Sequence, residues 1–123
     1  MQYALIIHEQ PEEMAKRTSP EHAPAYWDAW MAYSQAVSDA GVMRGGAGLE
    51  TPDKATTVTL APGGHEVHDG PFADSKEQLG GFFLIEVDSL DDALAWAAKL
   101  PSPGGKIEVR PLLPPRSEPG SEG

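Results

Sequence analysis

Two short apolar runs limit what this chain can fold into. Residues 82–87 (Phe-Phe-Leu-Ile-Glu-Val) form the most apolar segment, and residues 2–7 (Gln-Tyr-Ala-Leu-Ile-Ile) form a similar run at the N-terminus. Runs of this length that are rich in strand-forming residues are typical of central strands, and the N-terminal run predicts burial on both faces. We therefore expect a sheet that contains both segments.

A helix is predicted between these strands. From residue 26 to residue 40 the apolar and aromatic side chains repeat with helical spacing, and Gly41 stands where a left-handed residue commonly ends a helix. Its start has two interpretations, a separate first turn capped by Ser19 or a main helix that begins near Pro24. The helix predicts two adjoining stripes: Trp27, Trp30, Met31, Ser34 and Val37, and Tyr26, Ala29, Tyr33 and Ala36.

A second helix is predicted to follow residue 88. Ser89 and Asp92 have the spacing of a capping box at a helix start, and Pro101 ends the pattern. Apolar residues recur on one side of this segment and predict its buried stripe: Leu90, Ala93, Leu94 and Ala97.

The rest of the chain predicts shorter strands joined by turns. Residues 62–64 (Pro-Gly-Gly) indicate the turn of a hairpin, residues 45–48 (Gly-Gly-Ala-Gly) a further turn, and residues 8–17 a polar, irregular segment. The strands that complete the pattern are predicted at residues 42–44, 55–60, 65–68 and 106–110.

The predicted order is strand, helix, strand, hairpin, strand, helix, strand. It favours a ferredoxin-like α+β fold with both helices on one face of the sheet. The other face would then be bare, and large exposed apolar patches are rare in monomers. We therefore expect a homodimer with a two-fold axis that buries this face.

Composition narrows the class of protein. The 123 residues fit one domain, predicted over residues 1–111, with a tail rich in Pro, Gly and Ser at residues 112–123. Nine Lys and Arg against 19 Asp and Glu give a net charge of −10. Because nucleic acids and anionic membranes need a concentrated basic surface, we expect no nucleic-acid partner and no membrane partner.

The absence of cysteine removes several kinds of chemistry. Disulfides, thiolate catalysis and cysteine-ligated metals are excluded. The N-terminal run has no features of a signal peptide, and no apolar stretch approaches the length of a membrane span, so a cytoplasmic protein is expected. No Ser/His/Asp set, P-loop or dinucleotide fingerprint occurs, and no cofactor is predicted.

Residues 69–81 (Asp-Gly-Pro-Phe-Ala-Asp-Ser-Lys-Glu-Gln-Leu-Gly-Gly) are a long, distinctive segment. They resemble the signature of YCII-related proteins of the DGPF type, and the resemblance extends from Met1 to about Pro111. It implies a dimeric α+β barrel of ferredoxin-like subunits. The family's association with sigma factors of the extracytoplasmic type implies a sigma factor as a possible partner. Further matching segments are MQYALII at residues 1–7, AGVMRGG at 40–46 and IEVRP at 107–111.

The resemblance also marks one departure. Some family members are thought to use a His–Asp pair whose His lies on the first helix. Residues 25–37 of this chain contain no His, and the corresponding place falls at about Trp30.

The polar residues of the signature are the first candidates for a site. Asp69, Phe72, Lys76 and Glu77 are predicted to line a ligand-binding cleft between the hairpin and a dimer partner, with Asp69 and Glu77 as catalytic candidates. The structural alternative is that Asp69 caps the following turn, Phe72 fills the core, and Lys76 and Glu77 form a solvated surface.

Other residues carry weaker signals. His65 and Asp69 would share one face of a strand while His68 points away, and because two ligands make a poor site, no metal is predicted. The aromatic residues of the first helix are expected in the core or a dimer interface. Glu86 alternates with apolar neighbours, so it faces either solvent or an interior cleft, where burial would raise its pKa.

These observations leave three functional hypotheses. The first is a dimeric domain with a small-molecule-binding or regulatory role. The second is a small lyase or dehydrochlorinase-like enzyme that uses the cleft carboxylates, an activity that the family resemblance implies. The third is a module that binds a sigma factor. The sequence does not decide whether the chain is an enzyme.

Overall fold

The computed structural model describes residues 1–72 and 77–114. Short 3₁₀ turns cover Ala15–Thr18 and Pro52–Lys54. The helices and strands, in chain order, are β1 (Gln2–Glu9), α1 (Pro11–Met14), α2 (Ala23–Asp39), β2 (Met43–Gly48), β3 (Thr56–Ala61), β4 (Gly64–Asp69), β5 (Gln78–Glu86), α3 (Leu90–Ala97) and β6 (Lys106–Pro111).

Four strands form one antiparallel sheet in the order β2-β5-β1-β6, and β3 pairs with β4 in a separate hairpin. The two apolar runs found in the sequence, β1 and β5, lie side by side in the middle of the sheet. This strand order is that of two interleaved β-α-β units, the ferredoxin-like arrangement. The prediction of an α+β fold is confirmed.

The core lies between the sheet and the two long helices. Tyr3 and Leu5 of β1 face α2 and α3, and the Tyr33 hydroxyl donates to the Trp96 carbonyl oxygen at 2.7 Å, which joins the two helices. The alternate residues Ala4 and Ile6 point to the opposite face and are only half-buried. The prediction that β1 is buried on both faces is therefore wrong for the single chain, because the helices cover only one face of the sheet. The buried core comprises Tyr3, Leu5, Tyr33, Val37, Ile85, Val87 and Ala93.

Each of the two interpretations of the start of α2 is confirmed in part. The helix begins at Ala23 with Pro24 in its first turn, as one of them predicts. A separate turn precedes it, in which the Ala23 amide donates to the Ser19 carbonyl at 2.7 Å. Ser19 does not cap α2, since His22 occupies the capping position.

Residues 8–17 are more regular than predicted. His8 and Glu9 continue β1, and the following residues form α1 and a 3₁₀ turn. Met14, at the end of α1, is 2% exposed, and its burial fixes this short segment against the rest of the molecule.

The glycine-rich stretch at residues 45–48 was predicted as a turn and is part of β2. Each residue pairs with β5, including Gly46 with Phe83. A Cβ atom at Gly46 would lie 2.6 Å from the Phe82 carbonyl oxygen. The glycines therefore permit a close approach of two backbones within the sheet and do not reverse the chain.

The capping box at α3 is confirmed in part and its predicted buried stripe is wrong in part. The Ser89 hydroxyl accepts a hydrogen bond from the Asp92 amide at 3.2 Å. Ala93 is fully buried, whereas Leu90 and Leu94 are 48% and 46% exposed. The side that packs on the core has the same spacing but is rotated, and it comprises Ala93, Trp96, Ala97 and Leu100.

The predicted hairpin is confirmed, and it extends away from the core. All residues of β4 and most of β3 are exposed, including Leu60 at 83%.

The segment after β6 stays close to the sheet, since the Leu112 amide donates to the Gln2 carbonyl oxygen at 2.9 Å. Residues 115–123 of the predicted tail lie outside the described residues. Across the described part of the chain, no helix has the length and apolar character needed to cross a membrane.

Candidate functional site

An open cleft of about 700 Å³ lies between α2 and the adjacent edge of the sheet formed by β2 and β5. One side carries the α2 residues Trp27, Trp30 and Met31, and Phe83 of β5 adds a further aromatic ring. Clefts of a few hundred cubic ångströms with a mainly apolar lining are typical of sites for small organic molecules.

The opposite side of the cleft is rich in glycine. It is formed by the paired backbones of β2 and β5, where five glycines line the space. A Cβ atom at Gly81 would lie 2.6 Å from the Ala47 carbonyl oxygen, so a larger residue would separate the two strands. Backbone of these two strands is therefore exposed to the cleft, beside the side chains of Ile7, Met43 and Phe83. The five glycines are Gly45, Gly46, Gly48, Gly80 and Gly81.

A buried ion pair forms one end of the cleft. The Arg17 Nη2 atom lies 2.9 Å from a carboxylate oxygen of Glu9, and the two side chains are 10% and 1% exposed. The Tyr26 hydroxyl donates to the other Glu9 oxygen at 2.7 Å and accepts from Arg17 Nε at 3.0 Å. Arg17 also donates to the carbonyl oxygens of Gly80, at 3.1 Å, and Leu49.

Gly80 provides the space for this carboxylate. A Cβ atom at Gly80 would lie 2.3 Å from the nearer Glu9 oxygen and 3.1 Å from Arg17 Nη2. The glycine therefore allows β5 to pass directly over the ion pair, which brings the Gly80 carbonyl within reach of Arg17.

Burial, opposed by the hydrogen bond from Arg17, raises the pKa of Tyr26 to about 12. The phenol consequently stays protonated well into the alkaline range and remains a donor to Glu9. Both carboxylate oxygens of Glu9 and all three guanidinium nitrogens of Arg17 are engaged in hydrogen bonds. The charges of the pair cancel, so this end of the cleft suits recognition of a ligand better than proton transfer.

The helix side of the cleft has distinctive ring contacts. The Arg17 guanidinium lies 5.4 Å from the Trp27 ring centroid, within the range of a cation–π contact. Trp27 is 43% exposed and Met31 is 70% exposed. Within the described residues, the buried indole Nε1 of Trp30 has no hydrogen-bond partner.

The aromatic residues of α2 therefore divide into two groups. Tyr26 and Tyr33 are buried, which confirms the prediction that they lie in the core. Trp27 and Trp30 line the cleft instead, a position that the helical spacing alone did not distinguish from a core or interface position.

The described signature residues that were predicted to bind a ligand, Asp69, Phe72 and Glu77, lie elsewhere, whereas Gly80 and Gly81 at the end of the signature line the cleft. Asp69 is an exposed residue that ends β4, and Phe72 is 90% exposed, so the alternative that it fills the core does not hold for the single chain. Glu77 precedes β5 and pairs with Lys106 at 2.8 Å. None of the three lines the cleft, and Lys76 lies outside the described residues. Their role as a ligand-binding set stays a prediction.

The remaining polar candidates have ordinary surroundings. His68 lies 3.5 Å from Glu66 on the exposed hairpin. In residues 1–72 and 77–114, no group of three or more His, Cys, Asp or Glu side chains is arranged to hold a metal ion. Glu86 is partly exposed and pairs with the Met1 amino group, whose hydrogen bond lowers the pKa of the Glu86 carboxyl. The raised pKa expected of a buried carboxylate at this position does not apply.

Glu9 and Arg17 are the residues that sequence reasoning missed. A signal existed for Glu9, since it continues the alternation of Tyr3, Leu5 and Ile7 on the buried face of β1. No comparable pattern marks Arg17, whose partners lie between 8 and 63 residues away in the sequence.

Comparisons with known proteins assign the chain to a family. The family model described as the YCII-related domain matches residues 1–116. An uncharacterised protein of Rhizobium meliloti (strain 1021) is 36% identical over 115 residues, which covers 91% of this chain and 92% of that protein. The resemblance of residues 69–81 thus extends over nearly the whole sequence, and the chain belongs to the YCII-related family.

Proposed function

We propose that this chain is a dimeric small-molecule-binding domain with a regulatory role, and that its ligand occupies the cleft between α2 and the β2–β5 edge. The observation that carries the proposal is the combination of an apolar cleft of about 700 Å³ with a charge-neutral, hydrogen-bonded end at Glu9 and Arg17. The volume suits a small organic molecule, and the fixed polar end suits the orientation of one.

A filled cleft tests this proposal directly. Ser34 lines the cleft, and Ser34→Phe would place a ring inside it. Ala36 is exposed on the far side of α2 and does not line the cleft, so Ala36→Phe adds the same ring to the same helix as a matched control. Small molecules that stabilise the native protein would be found in a thermal-shift screen, because a ligand at 100 times its Kd stabilises by about 2.7 kcal/mol.

We expect each such molecule to lose its stabilising effect in Ser34→Phe and to keep it in Ala36→Phe. The folded state of both variants would be checked by circular dichroism. Equal stabilisation of both variants would place binding outside the cleft, and a broad screen without any stabilising molecule would count against a binding role.

The dimer is the second part of the proposal. On the face of the sheet opposite the helices, Ile6 pairs with Phe82 and Ala4 pairs with Leu84, so four apolar residues adjoin in two central strands. All four are half-buried in the single chain. A second copy stacked on this face would form an α+β barrel and cover the patch.

The other two hypotheses stay predictions from the family resemblance. A lyase or dehydrochlorinase-like activity would rest on Asp69 and Glu77, and the sigma-factor partner rests on family association alone. The cleft geometry favours neither, because its two charged residues, Glu9 and Arg17, are engaged with one another.

A further inference from the structure

Trp30 is a half-buried residue of α2 whose polar atom differs from those of its buried aromatic neighbours. Tyr26 and Tyr33 both satisfy their hydroxyl groups, with Glu9 and with the Trp96 carbonyl respectively. The Trp30 indole N–H is buried and unpartnered among the described residues, a condition shared only with the Ser102 hydroxyl, which does not line the cleft. Buried donors without a partner are rare because each forfeits a hydrogen bond that water would supply.

We propose that Trp30 is the specificity-determining donor of the cleft, and that the ligand is a neutral, planar molecule with a hydrogen-bond acceptor such as a carbonyl oxygen. This inference rests on the proposed binding function. Trp30 lines the cleft, while its N–H is shielded from solvent. A ligand reaches the N–H by displacing a flexible neighbour, and Met31, which is 70% exposed, lines the same cleft.

The shape of the cleft selects for a planar ligand. The indole rings of Trp27 and Trp30 and the ring of Phe83 line the space, and five glycines of β2 and β5 expose backbone to it. A flat molecule contacts both kinds of surface at once, and stacking on aromatic rings adds to the burial of apolar area. A bulky ligand would meet the backbone of the glycine side, which the pairing of β2 with β5 holds in place.

The charges of the cleft select for a neutral ligand. Glu9 and Arg17 are the charged residues among those that line it, and they neutralise each other at 2.9 Å. An anionic ligand would lose its hydration without gaining an unpaired cation, and a cationic ligand would find no unpaired carboxylate among the described lining residues.

Three commercially available naphthalenes separate these features. 2-Acetylnaphthalene is neutral and planar with a carbonyl acceptor, 2-ethylnaphthalene has a similar size without an acceptor, and 2-naphthoate is an anion. Their affinities would be measured by titration calorimetry with the full chain. The three indole N–H signals, from Trp27, Trp30 and Trp96, would be followed by NMR and assigned with Trp→Phe variants.

We expect the ketone to bind about tenfold more tightly than either other compound, the difference that one desolvated hydrogen bond or one unpaired charge produces. The Trp30 indole proton should shift with the ketone and stay in place with 2-ethylnaphthalene. Trp30→Phe should remove the preference for the ketone over the ethyl compound, while Trp96→Phe, a change on α3, should preserve it.

Equal affinities for the ketone and the ethyl compound, or a Trp30 signal that the ketone does not move, would overturn the role of Trp30 and leave the binding function standing. Tighter binding of 2-naphthoate would overturn the selection for neutral ligands. Failure of all three compounds to bind would count against the proposed function itself, and the inference would fall with it. The comparison of probes in the native protein does not depend on any variant folding.

Discussion

Glu9 is a carboxylate buried to 1% exposure at the end of β1, a position that would be costly without its partners. Arg17 supplies the opposite charge, Tyr26 supplies a second hydrogen bond, and Gly80 leaves the space. Removal of one charge leaves the other buried and unpaired, whereas removal of both charges leaves an apolar contact.

This difference predicts a strongly non-additive mutant cycle. We expect Glu9→Leu and Arg17→Met each to lower the free energy of unfolding by about 3 kcal/mol, and the double variant to lose clearly less than their sum. Urea denaturation would measure all four proteins. The pair of Glu13 and Lys16, whose side chains are 15% and 38% exposed, is a less buried control, and Glu13→Gln should change stability by less than about 1 kcal/mol. Additive losses in the cycle would mean that the two residues act independently.

The buried phenols predict how stability depends on pH in the alkaline range. Burial raises the pKa of Tyr33, as it does that of Tyr26, from 10.0 to about 12. Because the folded protein holds these protons more tightly than the unfolded chain, their contribution to stability is complete below pH 10 and is lost as the pH rises through about 12. Urea midpoints measured from pH 8 to pH 12 should therefore decline mainly above pH 10.

Tyr33→Phe separates this contribution from the general effect of alkali. The variant lacks one of the two phenols, so its stability should fall less steeply between pH 10 and pH 12 than that of the native protein. Identical slopes would show that Tyr33 does not contribute to the alkaline loss.

At the scale of single residues, the sequence predicts the positions of some residues of the site but not of others. Strand alternation places Glu9 on the buried face, and helical spacing selects Trp27 and Trp30 as a stripe. The identity of Arg17 as a partner of Glu9 depends on how α1 and its 3₁₀ turn fold back, which no local pattern encodes. Asp69, Phe72 and Glu77 belong to the distinctive segment at residues 69–81, yet only Gly80 and Gly81 of its described residues line the cleft.

Among the elements, β2 differs most from its prediction. Its glycines resemble turn chemistry in the sequence, and only the pairing with β5 explains them. The same pairing produces the glycine-rich side of the cleft. Likewise, the apolar spacing of α3 fits two rotations of the helix, and the smaller Ala93 is buried while Leu90 and Leu94 are not, because packing on the sheet decides between them.

The assignment of residues 45–48 to β2 predicts different effects on stability when two of its glycines are changed to alanine. Gly46→Ala should lower the free energy of unfolding by about 2 kcal/mol or more, because the new Cβ would lie 2.6 Å from the Phe82 carbonyl oxygen. Gly48→Ala is the matched control in the same strand, with no atom within 4 Å of its Cβ, and should be nearly neutral. Chemical denaturation of both variants would measure the difference, and a tolerated Gly46→Ala would contradict the close approach of β2 and β5.

At the scale of the whole molecule, the sequence predicted the order of the main strands and the hairpin, because each long element has its own hydrophobic period. It also predicted a sheet with one uncovered face, since two helices placed on one side cannot cover both. What the uncovered face contacts is a property of the assembly, and the proposed homodimer provides the test.

We expect light scattering coupled to size-exclusion chromatography to give a dimer mass at micromolar concentration. Leu84→Lys would place a charge in the apolar patch opposite the helices and should produce a folded monomer, since an unpaired charge in an interface is costly. Leu94→Lys, on the exposed side of α3, adds the same charge outside the patch and should remain a dimer. A native protein that runs as a monomer, or a dimeric Leu84→Lys, would contradict this interface.

The hydrogen bonds of Arg17 have a consequence for the order of folding. They connect the turn that carries it to β1, α2, β5 and the residue that follows β2, across separations of up to 63 residues. Contacts between such distant segments form after local helices and hairpins, because closing long loops costs chain entropy. The cleft is therefore completed late, when the sheet has assembled around that one side chain. A compound that occupies it would recognise the finished chain alone, and would protect newly made protein from proteolysis by drawing partly folded molecules toward the native state.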